Sequence, residues 1–180
     1  MRPLLRHGHF AFESGHHGDT WLDLDRLITD PARVRAAAEA LAPRLARFGA
    51  DLVVGPLDGG AFLAQWVAAA LGARFAYTTR TVDAAGPRYT VPAGLDVDGA
   101  RAVVVDDAVN LGSATEATVR ALADRGAVTA ALASVFVCAP TGPQVGPRLG
   151  VDQIWLTQLE TAVWPSSDCP LCLDGEPLST

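Results

Sequence analysis

Apolar positions recur along the chain in two rhythms that alternate. Short unbroken runs, Leu52 to Val54 and Ala102 to Val105, have the length and β-branched content of strands buried on both faces, and Val128 to Ala139 is a longer Val/Ala/Phe strand candidate. Segments of helical spacing lie between them. Asp30-Pro31 predicts an N-cap followed by proline at the first helical position. The helix then runs from about Ala32 to Phe48, with Val34, Ala38, Leu41, Leu45 and Phe48 on its core side, and Pro43 should kink or divide it. Gly49 closes it, 51–55 reads as a strand, a helix follows from about Ala61 to Leu71, and 73–79 is another strand. Ala114, Ala117, Thr118, Ala121 and Leu122 share one face of a later helix, and Gln153 to Leu159 is the last sheet strand. Alternating β and α units predict an α/β fold, a doubly wound, mostly parallel sheet flanked by helices.

The ends and one internal stretch lack this order. Residues 1–12 show no clear period, and the tail from Trp164 onward reads as irregular. In the segment from Glu13 to Pro31, Trp21, Leu22, Leu24, Leu27 and Ile28 are the expected buried members. Residues 80–100 contain two prolines, three glycines and little periodicity, which predicts a functional loop or a two-stranded excursion turning near Ala85-Gly86-Pro87.

The chemistry gathers around one of the apolar runs. Val103-Val104-Val105 leads into Asp106 and Asp107, then the small-residue turn Asn110-Leu111-Gly112-Ser113-Ala114, then a helix. The N–H groups of such a turn, with the helix N-terminus behind it, suit a phosphate. The carboxylates are expected at the carboxyl end of the strand, the edge of open α/β sheets where ligands bind. Adjacent carboxylates repel and are costly to bury unpaired. Sugar hydroxyls, or Mg²⁺ with its waters, would compensate them; the plain alternative is a solvated turn. A second strand leads into Leu57, Asp58, Gly59 and Gly60, where glycines allow a ligand close to the backbone.

Composition narrows the picture. At 180 residues, 49% apolar and 19% charged, the chain is expected to be one globular domain. No apolar stretch is long enough to cross a membrane and no signal-peptide pattern opens the chain, so a cytoplasmic location is the default. Net charge is −6, and all 14 Lys-plus-Arg positions are arginine. A uniform basic nucleic-acid surface is excluded, and so is any chemistry that needs a lysine. Arg80 and Arg88 are the candidate cations for a phosphate, which arginine grips with two hydrogen bonds. Three cysteines are too few for a disulfide framework. Cys169 and Cys172 have the spacing of half a zinc site; a reduced structural turn is the preferred reading and zinc the second. Completing a zinc site would need Cys138, which lies in a predicted strand, or the histidines, or a second subunit. His16, His17, Trp21, Phe10 and Phe12 suit contacts to a base as well as plain exposure or core packing.

VVVDDAVNLGSA resembles the signature segment of type I phosphoribosyltransferases, in the form seen in the orotate-specific members. SGHHGDTWLDLDRLITDP is similar to that family's N-terminal segment, VVGPLDGGAFLAQWVAAALG to its pyrophosphate-loop unit, and CPLCLDGEPL to the tail of one bacterial branch. The resemblance implies that Asp106 and Asp107 are the catalytic pair holding the ribose hydroxyls of phosphoribosyl pyrophosphate (PRPP). It places the 5′-phosphate on Asn110, Leu111, Gly112, Ser113 and Ala114. The pyrophosphate falls on Leu57, Asp58, Gly59 and Gly60, with Arg80 and Arg88, and the base on Ser14, Gly15, His16 and Trp21. It also implies a hood over residues 1–30, a lid over about 80–98, Mg²⁺ accompanying PRPP and a homodimer, with no nucleic-acid or membrane partner. The implied reaction is transfer to orotate, giving orotidine 5′-monophosphate and pyrophosphate. The alternatives are a non-catalytic PRPP- or nucleotide-binding regulator on the same fold, or a transferase for another base. The departures from the family pattern lie in its cations. Where orotate-specific members carry lysines before the SG and in the pyrophosphate loop, this chain has Glu13 and Asp58. Each such exchange near an anion costs on the order of 1–4 kcal/mol at intermediate dielectric.

Overall fold

The apolar runs assemble into one six-stranded sheet in a computed structural model that describes residues 4–12, 14–83 and 86–179. Its strands are β3 (Leu52–Pro56), β4 (Arg74–Asp83), β5 (Gly86–Thr90), β6 (Arg101–Val109), β7 (Val128–Ala139) and β8 (Asp152–Glu160). The order is β5-β4-β3-β6-β7-β8; every neighbouring pair is parallel except β4 with β5. Alternation along each strand divides the core between the two faces. Val53, Val103 and Val105 pack under helices α2 (Pro31–Leu45) and α3 (Gly59–Leu71), with Leu41, Leu45, Leu63 and Val67 fully buried. Leu52, Val54 and Val104 pack on the other face with Leu122 of α4 (Ser113–Ala123) and Val145 of the short helix α5 (Val145–Leu149). This is the doubly wound arrangement expected from the alternating pattern.

Local chemistry sets the helix boundaries. Asp30 caps α2 by accepting from the N–H groups of Ala32 (3.1 Å) and Arg33 (3.4 Å), with Pro31 at the first helical position. Pro43 does not divide α2, which stays helical to Leu45 and continues as a tighter turn over Ala46–Phe48. Gly72 ends α3 in the left-handed conformation (φ +66°). The buried face of α4 is set by Thr115, Thr118, Ala121 and Leu122, so Thr115 takes the place expected for Ala114. The Thr118 hydroxyl meets that of Thr78 at 2.9 Å and ties the helix to β4.

The unpatterned regions turn out to be ordered by long-range partners. Residues 1–12 carry β1 (Leu5–Ala11), which pairs antiparallel with β2 (His16–Leu22). β2 in turn pairs with β9 (Val163–Pro165) from the tail, making a separate three-stranded sheet. The tail also carries a single helical turn, α6 (Pro170–Leu173), so it is not irregular throughout. Of the apolar residues expected to be buried near β2, only Leu27 is fully so; it lies on α1 (Asp25–Ile28), whereas Trp21 is 37% exposed. The 80–100 stretch is divided. β4 and β5 form an antiparallel ribbon from Thr79↔Thr90 to Asp83↔Gly86, the two-stranded excursion, and Ala85 lies outside the described residues. Beyond it the chain is held down. Val91, Val97 and Ala100 are buried, and the Arg125 guanidinium donates to the carbonyls of Val91 and Leu95, both at 3.2 Å.

Candidate functional site

Asp106 and Asp107 lie inside β6 rather than at its end, because Ala108 and Val109 still pair with Phe136 and Val137 of β7. Both carboxylates are buried, at 7% and 8% exposure. Strand alternation sends them to opposite faces. Asp106 Oδ2 accepts from the Thr115 hydroxyl of α4 at 3.1 Å, and its Oδ1 accepts from the Asp107 N–H at 3.1 Å. Asp107 Oδ1 accepts from the Ala108 N–H at 2.7 Å. Among the described residues no ion pair includes either carboxylate.

The glycine loop after β3 rests directly on this pair. A Cβ at Gly59 would stand 1.9 Å from Asp107 Oδ2, and one at Gly60 would stand 2.7 Å from Asp106 Oδ1. Gly55 beneath them leaves no room either, since its Cβ would meet the Gly60 carbonyl carbon and oxygen at 2.4 Å. These three positions therefore exclude a side chain for want of space. The Leu57 N–H donates to the Thr78 carbonyl at 2.9 Å and anchors the loop to β4, and the Leu57–Asp58 peptide is cis. Asp58 is exposed beside the buried Gly60.

On the other side of the pair, Asn110 to Gly112 turn into α4. Gly112 has φ +86°, and a Cβ there would strike the Val145 side chain at 2.6 Å. The first turn of a helix leaves N–H groups without intrahelical partners, at the positive end of its dipole. A cavity of ≈ 260 Å³ opens here, lined by Asn110, Leu111, Gly112, Ser113, Ala114 and Thr115 together with Asp106, Phe12 and Ser14. An adjoining cavity of ≈ 560 Å³ shares Ser14, Leu111, Ser113 and Ala114, and adds His16, Arg80 and Tyr89. Arg80 thus stands beside the helix N-terminus. Arg88 is exposed on β5 opposite Thr81.

The N-terminal hairpin supplies the remaining wall. Ser14 and Gly15 form its tip, and the His16 Nδ1–H donates to the Ser14 carbonyl at 3.3 Å. Trp21 stacks on Phe12 (6.3 Å between centroids, 19° between planes). With Thr20, Ala108, Asn110 and Thr161 these rings line an uncharged cavity of ≈ 250 Å³ that meets the cavity at the start of α4 at Phe12, Ala108 and Asn110. Glu13 lies outside the described residues. Sequence reasoning missed Thr115 and Ala108. Thr115 sits one position beyond the small-residue turn, and a threonine in the first turn of a helix after an acidic strand is the signal that would have found it. Cys169 and Cys172 line none of these cavities and lie against His9 and His17, whereas Cys138 is buried in β7.

Burial raises the Asp106 carboxyl well above the ordinary carboxylate range, with the Asp107 charge adding to it; burial likewise raises Asp107. The arrangement suits a ligand with hydroxyl donors and positive charge between the carboxylates and an anion at the N-terminus of α4. A hard cation with oxygen ligands, such as Mg²⁺, matches the donor set of two carboxylates that lack a cationic partner among the described residues.

Residues 24–148 match the phosphoribosyl transferase domain family. The orotate phosphoribosyltransferase of Thermus thermophilus is 33% identical over 177 residues, covering 97% of this chain and 92% of that protein. Among solved structures, the orotate phosphoribosyltransferase of Aeropyrum pernix superposes with a TM-score of 0.71 at 20% identity, covering 87% of this chain and 88% of that one. The Mycobacterium tuberculosis orotate phosphoribosyltransferase in complex with PRPP gives 0.62 at 21% identity, covering 77% and 81%. At these identities the solved structures establish the shared fold.

The raised carboxyl pKa has a consequence for stability. A carboxyl whose folded pKa is raised keeps its proton where the unfolded chain has lost it. The contribution of this carboxyl to stability is therefore largest at low pH and falls as pH rises from the unfolded value, about 3.9, through the folded one. Asp106→Asn removes this penalty, and the Thr115 hydroxyl can turn to accept from the amide. Urea unfolding should find the ligand-free variant about 1–3 kcal/mol more stable than the parent at neutral pH. The difference should vanish below about pH 4; an equal difference at all pH values would contradict the assignment.

Proposed function

The chain belongs to the phosphoribosyl transferase domain family, and from that premise we propose that it transfers 5-phosphoribosyl from PRPP to orotate, releasing pyrophosphate. The observation that carries the reading is the buried pair Asp106 and Asp107, pressed by Gly59 and Gly60 on one side and hydrogen-bonded through Thr115 to the phosphate-side helix on the other. In this reading the ribose lies over the pair, its hydroxyls donating to the carboxylates. The 5′-phosphate occupies the N-terminus of α4, with Arg80 beside it. Pyrophosphate lies on the backbone of Leu57 to Gly60. The base lies in the uncharged cavity against Phe12 and Trp21. Mg²⁺ entering with PRPP supplies positive charge for the carboxylates and the pyrophosphate.

The residues act by position and charge. As the bond from the anomeric carbon to pyrophosphate lengthens, positive charge grows on the ribose ring, and fixed carboxylates stabilise it. Such preorganised groups are worth about 3–4 kcal/mol each in other enzymes. A base nitrogen attacks the same carbon from the hood side, so no protein nucleophile is needed. The β4–β5 ribbon stands where a lid would exclude water, which otherwise captures the activated sugar.

One observation favours a second acceptor. The lining of the base cavity carries no charged side chain among the described residues, which suits a neutral base better than the orotate anion. Pyrophosphate release with a panel of bases decides. Orotate is expected to exceed uracil and the purine bases at least tenfold in kcat/KM, equivalent to about 1.4 kcal/mol. A neutral base turning over faster moves the acceptor, and PRPP binding with no turnover on any base leaves a regulator.

A homodimer completes the proposal. Phe62 and Trp66 lie one turn apart on α3 and are 49% and 39% exposed, an apolar stripe suited to a second copy. Sedimentation at micromolar concentration should give a dimer, and Phe62→Asp with Trp66→Asp should give a monomer. A monomeric parent protein would remove this part of the reading.

A further inference from the structure

Cys169 and Cys172 belong to the tail, yet their sulfurs face two histidines of the N-terminal hairpin. His9 Nε2 lies 3.5 Å from Cys169 Sγ, 3.6 Å from Cys172 Sγ and 2.9 Å from His17 Nδ1, and Cys172 Sγ lies 3.2 Å from His17 Nδ1. All four donor atoms fall within 4.8 Å of one another. Zinc–sulfur bonds of about 2.3 Å and zinc–nitrogen bonds of about 2.0–2.1 Å place tetrahedral ligand atoms roughly 3.3–3.8 Å apart. We propose that His9, His17, Cys169 and Cys172 bind one zinc ion per chain, a closed structural site that fastens the C-terminal segment to the N-terminal sheet.

Three observations favour a metal over a hydrogen-bonded cluster. First, the tautomer of His9 is fixed. Its Nδ1 lies 2.7 Å from the Glu176 carbonyl oxygen, which only accepts, so Nδ1 carries the hydrogen and Nε2 presents its lone pair. Backbone carbonyls orient metal-bound histidines in this way. Second, that one lone pair is approached by three groups, His17 Nδ1 and both sulfurs. A single in-plane lone pair cannot accept three hydrogen bonds, whereas one cation accepts a lone pair from each of four ligands. Third, His9 and Cys169 are buried, at 2% and 0% exposure, so water does not serve the cluster from that side. Two imidazoles and two thiolates converging within one ion's reach are the donor set of zinc rather than of a hard cation.

The placement explains what such a site would hold together. β1, β2 and β9 form a small sheet of their own, and the tail returns along β1, where the Ser179 N–H donates to the His9 carbonyl at 2.6 Å. His9 and His17 flank the hairpin tip that sends Phe12 and Ser14 into the phosphate-side cavity. All four coordination positions are filled by side chains, so the ion takes no part in the chemistry.

Metal analysis of the full-length protein, purified without chelator, should give one zinc per chain. Cobalt substitution should give the intense visible bands of tetrahedral cobalt with thiolate charge-transfer bands in the near ultraviolet. Cys172 is exposed, so Cys172→Ser should fold and lose more than about 100-fold in zinc affinity, the upper end of what losing an outer-shell partner costs. A zinc-selective chelator should lower the Tm of the parent and leave that of the variant unmoved. Zinc bound equally tightly by Cys172→Ser, or cobalt uptake without thiolate bands, or no uptake at all, overturns the proposal. Should the variant prove insoluble, the cobalt spectrum of the parent decides alone.

Discussion

Two carboxylates buried side by side without a cationic partner among the described residues are the constraint around which this protein is arranged. Desolvation opposes the ionisation of both, and the charge of Asp107 opposes that of Asp106 further. A fold pays such a cost where a ligand later relieves it. The surroundings follow from that demand. The glycine loop lies directly against the carboxylates, so Gly55, Gly59 and Gly60 have no space for a Cβ. The helix beyond must aim its N-terminus at the same point, so Gly112 adopts a left-handed conformation that a side chain would resist twice over, by backbone and by contact with Val145.

The scaffold makes the arrangement stiff. Val53, Val103 and Val105 on one face of the sheet, and Leu52, Val54 and Val104 on the other, are closed off from water by helices on both sides. Asp106 and Asp107 continue this alternation, so one carboxylate turns towards α4 and the other towards α3. The same parity that builds the core therefore distributes the charges: Asp106 bonds Thr115 of α4, while the first residues of α3, Gly59 and Gly60, lie against both carboxylates.

Much of this was legible in the sequence because its signals are local. Asp30-Pro31, the valine runs, the Asp-Asp pair and the two glycine-bearing turns each declare themselves within a few residues. What stayed hidden depends on partners far along the chain. β1 has no clean alternation because a register shift between His7 and Phe10 breaks its pairing with β2. The tail forms a strand only by joining β2, and Trp21 lies exposed on that small sheet. The loop at 91–100 looked free, yet Arg125, reaching from beyond α4, holds it down. His9 and His17 could not be assigned to Cys169 and Cys172 by spacing, since about nine-tenths of the chain separates them and only the three-stranded sheet brings them together.

Titration calorimetry with PRPP and Mg²⁺ tests the central claim most directly, comparing the parent protein with a variant carrying Asp106→Asn and Asp107→Asn. Because the pair is held to grip the ribose, the variant should lose at least about tenfold in affinity, or 1.4 kcal/mol, while unfolding as cooperatively as the parent. Unchanged affinity in a folded double variant would mean that the sugar is held elsewhere, and the account of the site would fail.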